Sequence, residues 1–312
     1  MAFQYIIRNF EPQDAPRMED LQARCIRACP DTSLLPGGFY FAPGFDNGAN
    51  IFIAAGLNGE YYGHVVVYPY QISRALDGAR VLWMDLRVDP HLPGGPLIKD
   101  ALLLKAIDRA GEIQQKLSEP AVLSVTYFAR GAASIEYLQA RGFRHYETAY
   151  ILRRDLSNPI PEFPIPAGVT LLPWKMETVR EQEEYIRAYE SVLNNDAWDL
   201  KGLQHFMSSD FWSVGTTFTA FAGGQIAGSL IAYYGPDDPE KIGTTEHFFV
   251  LPQWRQQGLA SLLIAEALRF LKSRGLAEAE LQVTAENPRA ITTYQKLGYE
   301  VYQEEVSLGF AI

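Results

Sequence analysis

Near its C-terminal end the chain carries His247-Phe-Phe-Val250-Leu-Pro252-Gln-Trp-Arg255-Gln-Gln-Gly258-Leu-Ala260-Ser-Leu-Leu263. It reads as an apolar strand, a tight polar turn and the start of an amphipathic helix. Such a junction suits an anion. The first N–H groups of a helix have no intrahelical acceptor, and the peptide dipoles add partial positive charge there. In the turn Arg255-x-x-Gly258-x-Ala260, Gly258 lets a phosphate approach the backbone, and Ala260 keeps the approach open. Gln256, Gln257, Gly258, Leu259, Ala260 and Ser261 supply backbone donors. Arg255 or Arg289 is a candidate partner for a phosphate, with a solvated surface arginine as the equal alternative.

The elements that must hold this turn recur twice. In the first half, a strand at Tyr5–Phe10 precedes a helix to about Cys29 and an irregular loop, Pro36–Gly48. A hairpin follows, Ile51–Ala55 and Tyr62–Tyr68, turning at Asn58-Gly59. Then come a strand Val81–Val88, a helix Leu97–Leu117, a strand Ala121–Phe128, a helix Ala132–Ala140 and a strand Tyr146–Arg153. Pro159, Pro161, Pro164 and Pro166 mark a stiff linker. The expected division is residues 1–155, a linker 156–167, and residues 168–312. After the linker the order restarts: strand Val169–Pro173, helix Glu177–Val192, and a hairpin Thr216–Ala222 and Ile226–Tyr234 turning at Gly223-Gly224. The opening stretch follows, then a strand Glu278–Ala285, a helix capped by Asn287-Pro288, and a closing strand from Tyr299.

The repeat is visible in the residues. Asn58 to Tyr68 lies over Gly223 to Tyr233 at an offset of 165, and Val88-Asp-Pro90 over Val250-Leu-Pro252 at 162. Tyr137 to Phe143 lies over Thr293 to Tyr299 at 156. Three matches in one order at nearly one offset indicate two copies of one fold.

Bulk properties narrow the function. At 312 residues the chain suffices for two domains of about 150 residues. A formal net charge of -10 argues against a nucleic-acid partner, which would require a basic face. Cys25 and Cys29 are too few for a disulfide framework or a zinc site and read as small buried hydrophobes. No segment approaches the roughly 18 apolar residues of a membrane span, and no signal peptide is evident, so a cytoplasmic protein without a metal is expected.

Val250-x-Pro252-x-x-Arg255-x-x-Gly258-x-Ala260, with Asn287-x-x-Ala290-x-x-x-Tyr294-x-Lys296-x-Gly298-Tyr299 about thirty residues on, resembles the GNAT superfamily of acyl-CoA-dependent N-acetyltransferases. The motifs cover roughly the last 70 residues, and the order of elements matches over the whole second half. The length and the repeat resemble the tandem two-domain type, with a mycothiol-synthase-like architecture. The resemblance implies an α/β (α+β) chain of two GNAT-like domains, each a mixed, mostly antiparallel sheet flanked by helices.

It also implies acetyl-CoA as cosubstrate, with its pyrophosphate on Gln256–Ser261. The strand ending at Phe249 and Val250 would splay from its neighbour and offer a backbone N–H to the acetyl carbonyl. Asn287 would cap its helix and touch the CoA arm, and Tyr294 would be the general acid, a phenol near pKa 10 meeting a thiolate near 8.5. Glu246 is the general-base candidate. Period-2 alternation puts it on the face of Val250 and turns His247 the other way, unless a bulge swaps them. Tyr189, Asp196 and Trp198, with Tyr185 and Asp199 nearby, are candidates for an amine acceptor, since carboxylates beside an aromatic suit an ammonium.

The first copy departs from the pattern. Pro93, Pro96 and Ile98 stand for Arg255, Gly258 and Ala260, and Leu138 for Tyr294. Pro96 lacks a donor and Ile98 would fill the phosphate space, so the first half is expected to be a degenerate copy. The expected function is acetyl transfer from acetyl-CoA to a primary amine of a small molecule, by direct transfer in a ternary complex. The chain would act as a monomer or homodimer, away from nucleic acid and membranes. Two alternatives are a non-catalytic acyl-CoA sensor and an enzyme acting on a protein or peptide amine.

Overall fold

The computed structural model describes residues 4–31, 35, 37–74, 78–193, 199–235 and 239–312. The chain divides into two compact units, Met1–Glu147 with Glu305–Ile312, and Thr148–Glu304.

The first unit contains β1 (Tyr5–Asn9), α1 (Ala15–Ala28), β2 (Ile51–Gly56), β3 (Tyr61–Arg74), β4 (Arg80–Val88), α2 (Gly95–Leu117), β5 (Ala121–Phe128), α3 (Ala132–Gln139) and the start of β6 (Arg144–Asp155). Two short 3-10 stretches, Gly37–Phe41 and Pro43–Gly48, occupy the expected irregular loop. β1 to β5 pair in chain order, antiparallel except for β4 beside β5. One stripe of α2, Ile98, Leu102, Ala106 and Ala110, is buried against Leu82, Met84 and Leu86. Burial of each large side chain is worth about 2 kcal/mol. Cys25 is half-buried and Cys29 exposed, which corrects the expectation that both are buried.

The second unit repeats the plan with β7 (Val169–Pro173), α4 (Val179–Leu193), α5 (Leu200–Met207), α6 (Asp210–Val214), β8 (Thr216–Ala222), β9 (Gln225–Tyr234), β10 (Ile242–Val250), α7 (Leu259–Ser273), β11 (Glu278–Thr284), α8 (Pro288–Lys296) and the start of β12 (Glu300–Ala311). Its strands lie in the order β6-β11-β10-β9-β8-β7, with β10 and β11 parallel. The sequence reading left residues 199–214 without elements. They form α5 and α6, each capped by its own side chain: Asp199 accepts from Gly202 N–H and Ser209 from Trp212 N–H.

Each sheet is completed by a strand from the other half of the sequence. Ala149–Asp155 of β6 pairs with β11, and Glu305–Ala311 of β12 pairs with β5. The proline-rich stretch after β6 is tied to the second unit. Arg154 donates to Pro159 O at 2.7 Å, Arg269 to Pro161 O at 2.9 Å, and Ile160 and Phe163 pack on the α7 core.

The two copies share one steric demand. A Cβ on Gly228 would lie 2.8 Å from Phe249 O, and one on Gly63 would lie 2.5 Å from Arg87 O. The strands cross too closely there for any side chain, which explains why this glycine recurs in the repeat.

Candidate active site

The site is built around β10. Its ladder with β9 is regular from Gly243 opposite Tyr234 to Glu246 opposite Ile231, then resumes at Phe249 opposite Ser229. β10 has gained one residue over its partner, a β-bulge. His247 adopts φ 48°, a backbone conformation uncommon for a non-glycine residue.

The bulge reverses the alternation. Val250 packs with Leu259, Leu263 and Tyr294, while Phe249 packs with Tyr185 and Tyr189 of α4. Glu246 lies on the α4 side too, because its carboxylate accepts a hydrogen bond from the Tyr233 hydroxyl and feels the Tyr185 phenol. The expectation that Glu246 shares the face of Val250 is therefore corrected: it shares the face of Phe249. His247 joins it there, with its ring centroid 5.3 Å from that of Tyr189 and Nε2 4.0 Å from Glu246 Oε2.

Electrostatics separates these two neighbours. Burial pushes the Glu246 carboxyl above its ordinary range, the Tyr233 hydrogen bond opposes that, and Glu280 adds to it. The Glu246 side chain keeps 44% of its surface accessible, so it sits deep among protein atoms but open to water, which moderates the shift. Burial drives His247 down to about 3, leaving a neutral imidazole at neutral pH.

On its other edge β10 parts from β11. The parallel ladder joins only Ile242–Thr244 to Glu278–Glu280, and β11 then continues along β6 to Thr284. Beyond Thr244 the β10 backbone has no ladder partner in β11, which opens a wedge between the two strands.

At the end of β10 the turn is set by backbone conformation. Gln256 has φ 61° and Gly258 φ 82°, and the space where a Gly258 side chain would stand is open. The first helical hydrogen bond runs from Leu262 N–H to Gly258 O at 3.0 Å, so the N–H groups of Gln256 to Ser261 precede the ladder. Leu259, Leu262 and Leu263 are buried and anchor this first turn of α7. Arg255 is fastened by its Nε–H to Val250 O at 3.1 Å, which braces the turn against the strand.

Asn287 caps α8, accepting from Ala290 N–H at 3.2 Å. Tyr294, on α8, is buried against Phe248 and Tyr299 on the α7 side of β10, and burial pushes its phenol up to about 12. Glu246 and Tyr294 thus flank the strand from opposite faces.

On the acceptor side, Tyr189 stacks on Tyr185 with centroids 6.1 Å apart. Asp196 and Trp198 lie outside the described residues. Asp199 is occupied as the α5 cap. Sequence reasoning missed Tyr233, the hydrogen-bond donor to Glu246, because nothing short of the β9–β10 register places it there. The Tyr185 hydroxyl is buried without a hydrogen-bond partner among the described residues.

The equivalent turn of the first unit is closed. Leu92 N–H donates to Asp89 O, Gly95 N–H to Leu92 O, and Leu97 and Ile98 N–H to Gly94 O, while Pro93 and Pro96 have no N–H. Between the equivalent Val88 and Val250, α2 begins two residues sooner than α7. Ile98 therefore points into the core, fully buried, and the expectation that it fills a phosphate space is corrected.

Residues 178–299 match the family described as Acetyltransferase (GNAT) family, so the second unit carries a GNAT acetyltransferase domain. A mycothiol acetyltransferase of Thermobispora bispora is 28% identical over 191 residues, covering 57% of this chain and 60% of that relative. The chain thus matches less than two thirds of that relative's length. Two solved structures extend the likeness over both units. A GCN5-related N-acetyltransferase from Sphaerobacter thermophilus has a TM-score of 0.71 at 20% identity, covering 98% of this chain and 95% of that one. A tandem GNAT protein from the clavulanic acid biosynthesis pathway has a TM-score of 0.69 at 16% identity, covering 99% and 98%. The fold is that of the tandem GNAT proteins.

Proposed function

We propose that this protein transfers acetyl from acetyl-CoA to a primary amine of a small molecule, by direct attack in a ternary complex, using the second unit alone. One observation carries the reading: the strand bearing Glu246 ends in a turn whose free backbone donors suit a pyrophosphate. The likeness to mycothiol acetyltransferases supports a small-molecule acceptor over a protein one.

In this reading the pyrophosphate sits on the N–H groups of Gln256 to Ser261, and Gly258 provides the close approach. Phe249 and Val250 line the wedge, where a freed β10 N–H polarises the thioester carbonyl. The amine arrives from the α4 side, past Tyr185 and Tyr189. Its nitrogen forms the C–N bond at the carbonyl carbon, and its proton passes to Glu246, directly or through water. The C–S bond breaks, and the thiolate leaves on the far face, where Tyr294 holds it by a hydrogen bond and supplies its proton. Base and acid on opposite faces of β10 fit this chemistry, because nitrogen and sulfur are different substituents of the tetrahedral carbon formed by addition, and each needs its own proton carrier. The Glu246 shift points toward a base poised nearer neutrality than a free carboxylate. Asn287 fixes the start of α8 and so the position of Tyr294.

The test is thiol release from acetyl-CoA against a panel of small amines, with Gly258→Glu as control. A glutamate there brings negative charge and a strained φ to the phosphate position, and release should fall to background. Thiol release undiminished in Gly258→Glu would refute the placement of the pyrophosphate. Tight CoA binding with no release against any amine would favour an acyl-CoA sensor.

A further inference from the structure

We infer that the second unit holds a separate binding site for a small organic anion with an aromatic body, an aryl carboxylate in chemical class. A cleft of about 510 Å³ opens where the ends of β7, α6 and α7 meet. This size falls within the roughly 300–1,000 Å³ typical of small-molecule sites. Phe218, Tyr234 and Phe270 give it apolar walls, and its charged lining residues are Lys175 and Arg274, both cations. In a chain of net charge -10, no carboxylate lines this cleft among the described residues.

Both cations are held in place by groups other than acids. Lys175 Nζ donates to Gly215 O at 2.6 Å and to Trp212 O at 3.4 Å, which leaves one of its three N–H bonds for a ligand. The Arg274 guanidinium lies over the Phe270 ring, 5.0 Å from its centroid. Among the described residues neither cation has a carboxylate within salt-bridge distance. They repel each other: burial, and after it the charge of Arg274, pull the Lys175 ammonium below its ordinary pKa. An anion between them removes that repulsion, and a planar ring attached to it finds Phe218 and Phe270.

The cleft is remote from the Gln256–Ser261 turn. That turn opens α7 and Arg274 follows its last residue, so 15 helical residues at 1.5 Å each set them roughly 22 Å apart. A ligand here would bind alongside acetyl-CoA.

The test is calorimetric titration of the full chain with 2-naphthoate, with and without saturating acetyl-CoA. The neutral amide of the same acid and an Arg274→Ala variant serve as controls. Arg274 is exposed and belongs to no ion pair among the described residues, and circular dichroism of the variant serves as the check on its folding. The expected result is one naphthoate per chain, unaffected by acetyl-CoA, with at least tenfold weaker binding of the amide and of naphthoate to Arg274→Ala. Lys175→Met should weaken binding in the same direction. Absence of binding, equal affinity for the amide, equal affinity in Arg274→Ala, or displacement by acetyl-CoA would each overturn the proposal.

Discussion

One place in the β-ladder holds an acid in each unit, and the surroundings of the two acids are opposite. In the first unit Asp85 pairs with Val66, and in the second Glu246 pairs with Ile231, residues that the repeat makes equivalent. Asp85 is buried and accepts from Arg87 Nε at 2.8 Å. His64 Nε2 lies 3.8 Å away and Arg87 also lies 3.6 Å from Asp31. Glu246 opens to water and holds one tyrosine hydroxyl. β4 keeps a regular register through Asp85, whereas β10 bulges just after Glu246. The turn beyond Asp85 uses its N–H groups internally, and the turn beyond Glu246 leaves them free. We read the first copy as having turned a reactive strand into a structural one, its acid neutralised by a fixed cation and its cradle closed.

The strand exchange gives the most drastic test of the two units. A fragment of residues 168–312 leaves β11 without β6 and β12 without β5. It should aggregate, whereas residues 148–304 should be soluble and fold cooperatively in size-exclusion and circular-dichroism measurements.

The paired acids come next. Glu246→Gln should lower kcat by about 10²- to 10⁴-fold with little change in thermal stability. Asp85→Asn should leave kcat near wild type but cost about 3–5 kcal/mol of stability, because Arg87 stays buried without its counter-charge. Matching losses of activity in both variants would erase the distinction between the units. Tyr294→Phe should reduce turnover about ten- to a hundredfold, since a hydrogen bond to the thiolate is lost while the ring packing remains. Wild-type turnover in that variant would remove the acid role.

Titration sharpens the contrast further. Burial would raise Asp85, but Arg87 and His64 outweigh it and hold its pKa below the ordinary range, while burial holds His64 down. Both groups favour the folded state above their unfolded pKa values and lose that contribution as pH falls, beginning near the imidazole value of about 6.5. Glu246 has the opposite sign. Its raised pKa contributes stability at low pH that is lost as pH rises, and its ionisation should increase kcat/KM with rising pH. Asp85 itself stays ionised from pH 8 to 5, so thermal melts over that range should show wild type losing stability through His64, and Asp85→Asn losing more of it, because the Asp85 charge that favours a protonated His64 is gone.

Much of this was legible in the residues. The turn at Gly258, the Asn287 cap and the recurring Gly63 and Gly228 follow from local backbone demands, which single residues express. The bulge was hidden, because Glu246-His-Phe-Phe-Val250 suits a strand in either register, and a one-residue slip flips every later side chain. The exchange of β6 and β12 depends on pairing between residues more than a hundred apart, and no local pattern encodes it. The short helices α5 and α6 are defined by single capping side chains rather than by a long periodic stripe. Tyr233 reaches Glu246 only through the register of β9 and β10.

The central claim is that one unit binds the cosubstrate and the other has lost the means to do so. Calorimetric titration of acetyl-CoA into the full chain measures this directly. One molecule bound per chain, abolished by Gly258→Glu and untouched by substitution at Pro93, is the predicted result; two molecules per chain would contradict it.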